Sequence, residues 1–274
     1  MTRGIKEWKR LARMSLKGNY AFPVLALVIS TVVSVMGNSL TSGLFPGTSA
    51  SALILSQIFA FILSLVISVF TAGISYLYLN IARRKSFSFS DLLYFFKNQP
   101  DRVIIATLVL TVIDLIVTIP VNYYGLTADP GTTMEEYSTW AVTYLGLLLG
   151  AIILNMLLTL PFVLVYYLLA DEPQLSGFQA LKESMKMMKG HIGRYLLLQI
   201  SFLPWMIASM FTFYIALLWL LPYMEMSAVM FYRDLRGELD TFSTGTPAGA
   251  ESVTRQLLQE PEDPVPGDDY NAEA

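Results

Sequence analysis

Cysteine is absent from the 274-residue chain, which excludes disulfides, thiolate metal sites and cysteine nucleophiles. Histidine occurs once, at His191, so no zinc or haem site is expected. Charge is scarce as well. Only 14% of residues are Asp, Glu, Lys or Arg, against 54% hydrophobic, and the mean hydropathy is +0.54. An ordinary soluble domain carries about 25% charged residues. A chain this apolar cannot cover a water-facing surface, and lipid is its expected solvent. Enzyme signatures are missing too: there is no Gly-x-Ser-x-Gly elbow, P-loop, His-Glu-x-x-His or EF-hand loop. The expectation is a non-enzymatic membrane protein with no cofactor, no metal and no nucleic-acid partner.

The scarcity of bases is also uneven. Lys and Arg cluster at Arg3 to Lys17, Arg83 to Arg102, Lys182 to Arg194 and Arg233 to Arg255, and the apolar stretches between have none. A membrane helix needs about 20 apolar residues. Four stretches meet this: Ala21 to Leu40, Ala52 to Leu79, Val103 to Val121 and Tyr144 to Leu169. A fifth, Tyr195 to Phe231, contains one charge, Glu225. As one helix it would be about 55 Å long, nearly twice the hydrocarbon thickness. It is therefore divided near Phe213, giving six spans. The loops 41–51 and 122–140 carry no base, and the second carries Asp129, Glu135 and Glu136. The positive-inside rule then places both termini in the cytoplasm. The first span follows a basic segment as a signal peptide would, but its small-residue Ala50-Ser51-Ala52 lies well beyond the apolar run, so it is taken as a retained anchor.

Three segments before odd-numbered spans are amphipathic. Ile5, Trp8, Leu11, Ala12 and Leu16 recur at helical spacing within residues 1–20, with Lys6, Lys9, Arg10, Arg13 and Lys17 among them. Residues 90–98 form the second, with Ser90 as expected N-cap. Residues 177–189 form the third, where Phe178, Leu181, Met185 and Met188 line up beside Lys182, Lys186 and Lys189. Each is expected to lie in the inner interface, its apolar face in the acyl chains and its bases on anionic headgroups. Leu16-Lys17-Gly18-Asn19 and Met188-Lys189-Gly190-His191 echo one another, with Phe96-Lys97-Asn98 as a weaker copy. Gly or Asn there suits a left-handed turn between helices. Gly73, Pro161 and Pro222 each precede an aromatic-rich stretch. The pattern suggests an interfacial helix plus two-span hairpin, three times over, within 21–237 and its leading helix.

Residues 238–274 differ in kind. They hold nine acids against Arg255, leaving 17 bases and 12 acids, a balance of +5, in residues 1–237. With few large apolar residues, such a stretch cannot offset its ordering entropy, and a disordered acidic cytoplasmic tail is expected. It is also a candidate docking segment for a protein partner.

Taken as a set, these residues resemble a known family. The set comprises the basic amphipathic start, Leu16 to Tyr20, Ser184 to His191, Ser201-Phe202-Leu203-Pro204-Trp205, Pro222-Tyr223 and Phe231-Tyr232. They are similar to the integral-membrane family of Gram-positive bacteria called domain of unknown function 975, over residues 1–237. The resemblance implies a multi-span protein of the bacterial plasma membrane. It implies no activity and no site residue.

Two carboxylates fall inside expected spans, Asp114 in the third and Glu225 in the sixth. A carboxylate at mid-membrane costs about 2.5–3.5 kcal/mol on insertion scales, which makes each a functional candidate. One reading is an ion or proton site with Asn155, Gln199 or tyrosines as co-ligands. The other is helix glue, a carboxyl bonded to a facing polar group. Gly146 and Gly150 form a small-residue face on the fourth span, where internal packing is expected and a homodimer contact is the alternative. Function then divides between a membrane scaffold or accessory protein and a small-solute or ion transporter using Glu225 and Asp114. A lipid-modifying enzyme is a third, weaker class.

Overall fold

The computed structural model describes residues 3–46 and 49–239. The tail expected over 238–274 lies outside the described residues, apart from Glu238 and Leu239. Among the described residues the chain is helical throughout. Its helices are α1 (Ile5–Leu16), α2 (Ala21–Leu44), α3 (Ala50–Ala82), α4 (Tyr94–Lys97), α5 (Pro100–Thr127), α6 (Met134–Thr159), α7 (Val165–Asp171), α8 (Gly177–Met188), α9 (Ile192–Ile200), α10 (Leu203–Met210) and α11 (Leu217–Leu235). Four helical stretches, Ala21–Leu44, Ile54–Ala82, Pro100–Thr127 and Met134–Asp171, are long and apolar enough to cross a membrane.

The boundaries correct the expected ones in places. α5 runs through Pro120 to Thr127 rather than ending at Val121. The stretch containing Pro161 breaks into a 3-10 turn, Leu160–Phe162, because proline cannot donate to the helix ladder. In the second amphipathic segment a 3-10 turn, Phe89–Leu93, precedes the short α4. Its capping box joins Ser88 to Asp91, so Ser88 and not Ser90 is the cap. The last apolar stretch reverses at Phe213 and Tyr214, both in the left-handed region with φ of 50° and 64°. It also breaks between α9 and α10, at Ser201-Phe202 just before Pro204.

The two echoed links share one geometry. Lys17 has φ −59°, ψ 119° and Lys189 has φ −60°, ψ 118°. Gly18 and Gly190 follow at φ 86° and 83°. The amides of Asn19 and His191 close the turns on Leu16 and Met188 at 2.8 and 2.9 Å. Both are type II turns, which require the positive φ that glycine supplies. The third link differs: Asn98 is extended and Gln99 takes the left-handed conformation, at φ 53°.

The core gathers at the basic end of the bundle. It is built from the last turns of α3 (Val69 to Ala82), from Leu164 to Ala170, and from Met226 to Tyr232 of α11. Each amphipathic segment packs on one of these. Trp8 of α1 meets Phe231 edge-on, at 5.1 Å between centroids. The 3-10 turn lies so close to α3 that a Cβ on Gly73 would strike the Leu92 carbonyl. α8 packs on α7 and α5. The expected arrangement of the apolar stripes is thereby corrected. Trp8, Ala12 and Leu16, and likewise Leu181 and Met188, are buried inside the protein rather than laid in acyl chains. Phe178 and Met185 leave that stripe and are 66% and 45% exposed.

Helix breaks free backbone carbonyls, which need new donors when water is excluded. The amphipathic helices supply them. Ser184 of α8 donates to the Pro161 carbonyl at 2.7 Å. Lys9 of α1 donates to the Ser201 carbonyl at 3.1 Å and stands 3.8 Å over the Phe202 ring. Lys9 is therefore a half-buried packing residue, not the membrane-surface base expected, and burial lowers its ammonium pKa, with Arg13 adding repulsion. Lys6, Arg10, Arg13, Lys17, Lys182, Lys186 and Lys189 are exposed.

Candidate functional site

Glu225 projects from α11 three residues beyond Pro222 and is partly exposed, its exposure facing two cavities. The Tyr167 hydroxyl donates to its Oε1 at 2.6 Å. On one side lies a cavity of about 790 Å³ between α3, α5, α6, α7, α9, α10 and α11. On the other lies a smaller one of about 310 Å³ bordered by α2 and α3. Thr71, Ser75, Gln199, Met224 and Glu225 line both and form the wall between them. Gln199 donates to the Tyr195 hydroxyl at 2.8 Å. Two of the sequence candidates, Glu225 and Gln199, are thus brought together.

Asp114 and Asn155 are brought together elsewhere. Asn155 Nδ2 donates to Asp114 Oδ1 at 2.6 Å, joining α5 to α6. Both line a separate cavity of about 380 Å³. The two carboxylates do not share a crevice. The small-residue face also departs from expectation: Gly146 and Gly150 are exposed, and a Cβ built on either meets nothing within 4 Å. Among the described residues no helix packs on that face. α6 buries no residue at all and packs chiefly on α5.

Sequence reasoning missed a third grouping, an ion-pair lattice across the basic end. Arg83, just past α3, grips Asp171 at the end of α7 through both terminal guanidinium nitrogens, Nη1 and Nη2. It also binds Glu238, from Nη2 to Oε1 at 2.5 Å. Arg233 donates to Glu238 at 2.9 Å and to the Ala82 carbonyl at 2.6 Å. Tyr232 donates to Asp171 at 2.6 Å, and Arg236 to Glu172 at 2.5 Å. Arg3 ties the start of the chain to Asp234 and, at 2.5 Å, to the Leu239 carbonyl. Burial pushes the Glu238 carboxyl up, but the bonds from Arg83 and Arg233 outweigh it and hold the pKa below its ordinary value. Asp171 in turn raises the Arg83 pKa, against the opposing cost of burial and with help from Glu238. Such pairs carry little net stability against an apolar core, yet removing one partner strands the other. The only sequence signal was the basic and acidic residues flanking apolar ends, and their pairing is long-range.

A family model described as "Protein of unknown function (DUF975)" matches residues 1–238. The chain belongs to this family. No curated protein and no solved structure matches it. The DUF975 match ends at Glu238, the residue that closes the lattice between Arg83 and Arg233.

Proposed function

We propose that this DUF975 protein is a six-span protein of the bacterial plasma membrane, with both termini in the cytoplasm, acting without catalysis as a scaffold or accessory subunit. Ile192–Met210 and Leu217–Leu235 supply the fifth and sixth crossings. Each is 19 residues, or about 28 Å at helical rise, which suits the hydrocarbon core. The exposed aromatic tip at Phe211, Phe213 and Tyr214 supports a turn at the outer interface, where aromatics are favoured. Tyr124, Tyr137, Trp140 and Tyr144 stack at the start of α6 and support the same level. The two matching type II turns support a repeated unit. Its interfacial segments present exposed Met14, Phe89, Phe96 and Phe178 beside bases, a composition suited to anionic headgroups.

The observation that carries the scaffold reading is the lattice. It fixes Glu238 and Leu239 at the centre of the basic end. From there the chain continues into residues 240–274, with eight acids against one base. An acidic segment leaving a rigid anchor suits a basic protein partner. Crosslinking and pull-down of the full chain and of a chain ending at Leu239 tests this. Partners recovered by the full chain and lost on truncation fit the reading; identical recoveries end it. A second reading, proton-linked transport, draws on the position of Glu225 between two cavities, although Asp114 stands apart from it. Equal flux in proteoliposomes for wild type and Glu225→Gln would remove Glu225 from coupling.

A further inference from the structure

The donors and acceptors around the larger cavity are out of balance. Tyr167 spends its hydroxyl hydrogen on Glu225. Thr71 and Ser75 spend theirs on carbonyls of their own helix, Ile67 and Thr71, at 3.0 and 3.4 Å. Gln199 gives an amide hydrogen to Tyr195. What remains toward the cavity is one Gln199 amide hydrogen and the Tyr195 hydroxyl hydrogen against a larger acceptor capacity: the Glu225 carboxylate, two hydroxyl oxygens and the Gln199 carbonyl. Among the described residues, no lysine, arginine or histidine lines either cavity, so no charged side chain there offsets Glu225 or favours an anion. Phe162, Tyr166 and Tyr195 also line the larger cavity, and aromatic rings favour a cation over an anion. The remaining wall is aliphatic, from residues such as Leu110, Leu196 and Met206. A volume of about 790 Å³ falls within the range of small-molecule sites.

We propose that this cavity binds a lipophilic monocation, an organic ammonium or phosphonium whose apolar body fills the aliphatic wall while its charge rests against Glu225. A bare metal ion or a hydrated ammonium would lose its water here without enough ligands in exchange. A bulky organic cation has a weakly held hydration shell and gains from the apolar wall, and the Glu225 carboxylate gains a partner of opposite charge. This inference concerns binding and holds whether or not anything crosses the membrane.

Tetraphenylphosphonium is the probe, with tetraphenylborate as an anion of the same shape. Binding to the full chain in lipid nanodiscs is measured by calorimetry. Saturable phosphonium binding is expected, with borate at least tenfold weaker. Glu225→Gln is expected to weaken phosphonium at least tenfold and to narrow the preference over borate. Equal affinity for the two ions, unchanged binding in Glu225→Gln, or no saturable phosphonium binding overturns the proposal. If Glu225→Gln does not keep the elution volume and melting profile of wild type, Met206→Trp decides. Met206 sits on the open wall of the cavity, and the larger ring occupies its space. Loss of phosphonium binding there supports the site, and retained binding refutes it.

Discussion

α6 and α11 are both apolar helices, yet they differ in burial. α6 has 26 residues and buries none, whereas α11 has 19 and buries ten, from Pro222 to Asp234. The contrast extends to the whole molecule. At the basic end, α1, α8 and the 3-10 turn close over the last turns of α3, α7 and α11, and ion pairs tie the ends together. At the other end, α2, α6 and the start of α3 show large apolar side chains to the outside. Hydrophobicity alone does not separate a packed helix from a lipid-facing one. What separates them here is which residues find partners within the chain. Away from the basic end the large apolar side chains stay exposed, and the basic end behaves as a folded core in its own right.

The largest expected effect follows from that division. Phe231→Ala empties the contact with Trp8 and Tyr195 and should cost about 3–5 kcal/mol. Leu154→Ala on α6, where the side chain is 49% exposed, should cost a small fraction of that. Unfolding in mixed detergent, read by circular dichroism, compares the two, and equal losses would erase the distinction between the ends. Next is Arg83→Gln, which strands Asp171 without its arginine, leaves Glu238 to Arg233 alone, and should cost about 3 kcal/mol in the same assay.

Glycines sharpen the comparison on a smaller scale. Gly73→Ala forces the 3-10 turn off α3 and should destabilise by about 1–3 kcal/mol. Gly150→Ala meets open space and should stabilise by up to about 1 kcal/mol through helix propensity. A loss at Gly150 as large as that at Gly73 would mean that a hidden partner already covers α6. Acid gives the mildest perturbation. Because Arg83 and Arg233 hold the Glu238 pKa down, its contribution is full above the ordinary glutamate pKa, about 4.3, and is lost as pH falls through the lower folded value. Stability measured from pH 6 to 3 should fall more in wild type than in Glu238→Gln. Parallel curves would detach Glu238 from the lattice.

Much of the architecture was legible because it is local. Apolar run length marked four long helices, and the excess length of Tyr195 to Phe231 located the reversal near Phe213. Gly18 and Gly190 were readable because a type II turn demands positive φ. Long-range pairing was not legible. Nothing near Arg83 names Asp171 as its partner, 88 residues on. The amphipathic stripes misled for a related reason: periodicity shows that a face is apolar, not whether protein or lipid covers it. Glu225 and Gln199 were readable as intramembrane polar groups, but only packing shows that Asp114 belongs to a different cavity.

The sidedness of the basic end is the claim on which the six-span reading depends. The absence of cysteine permits a direct test, with single substitutions Thr132→Cys, Ser86→Cys and Ser252→Cys exposed to a membrane-impermeant maleimide on intact cells. The expected result is labelling at position 132 alone, with 86 and 252 labelled only after the cells are opened. Labelling of position 252 from outside would put the C-terminus across the membrane and contradict the even number of crossings.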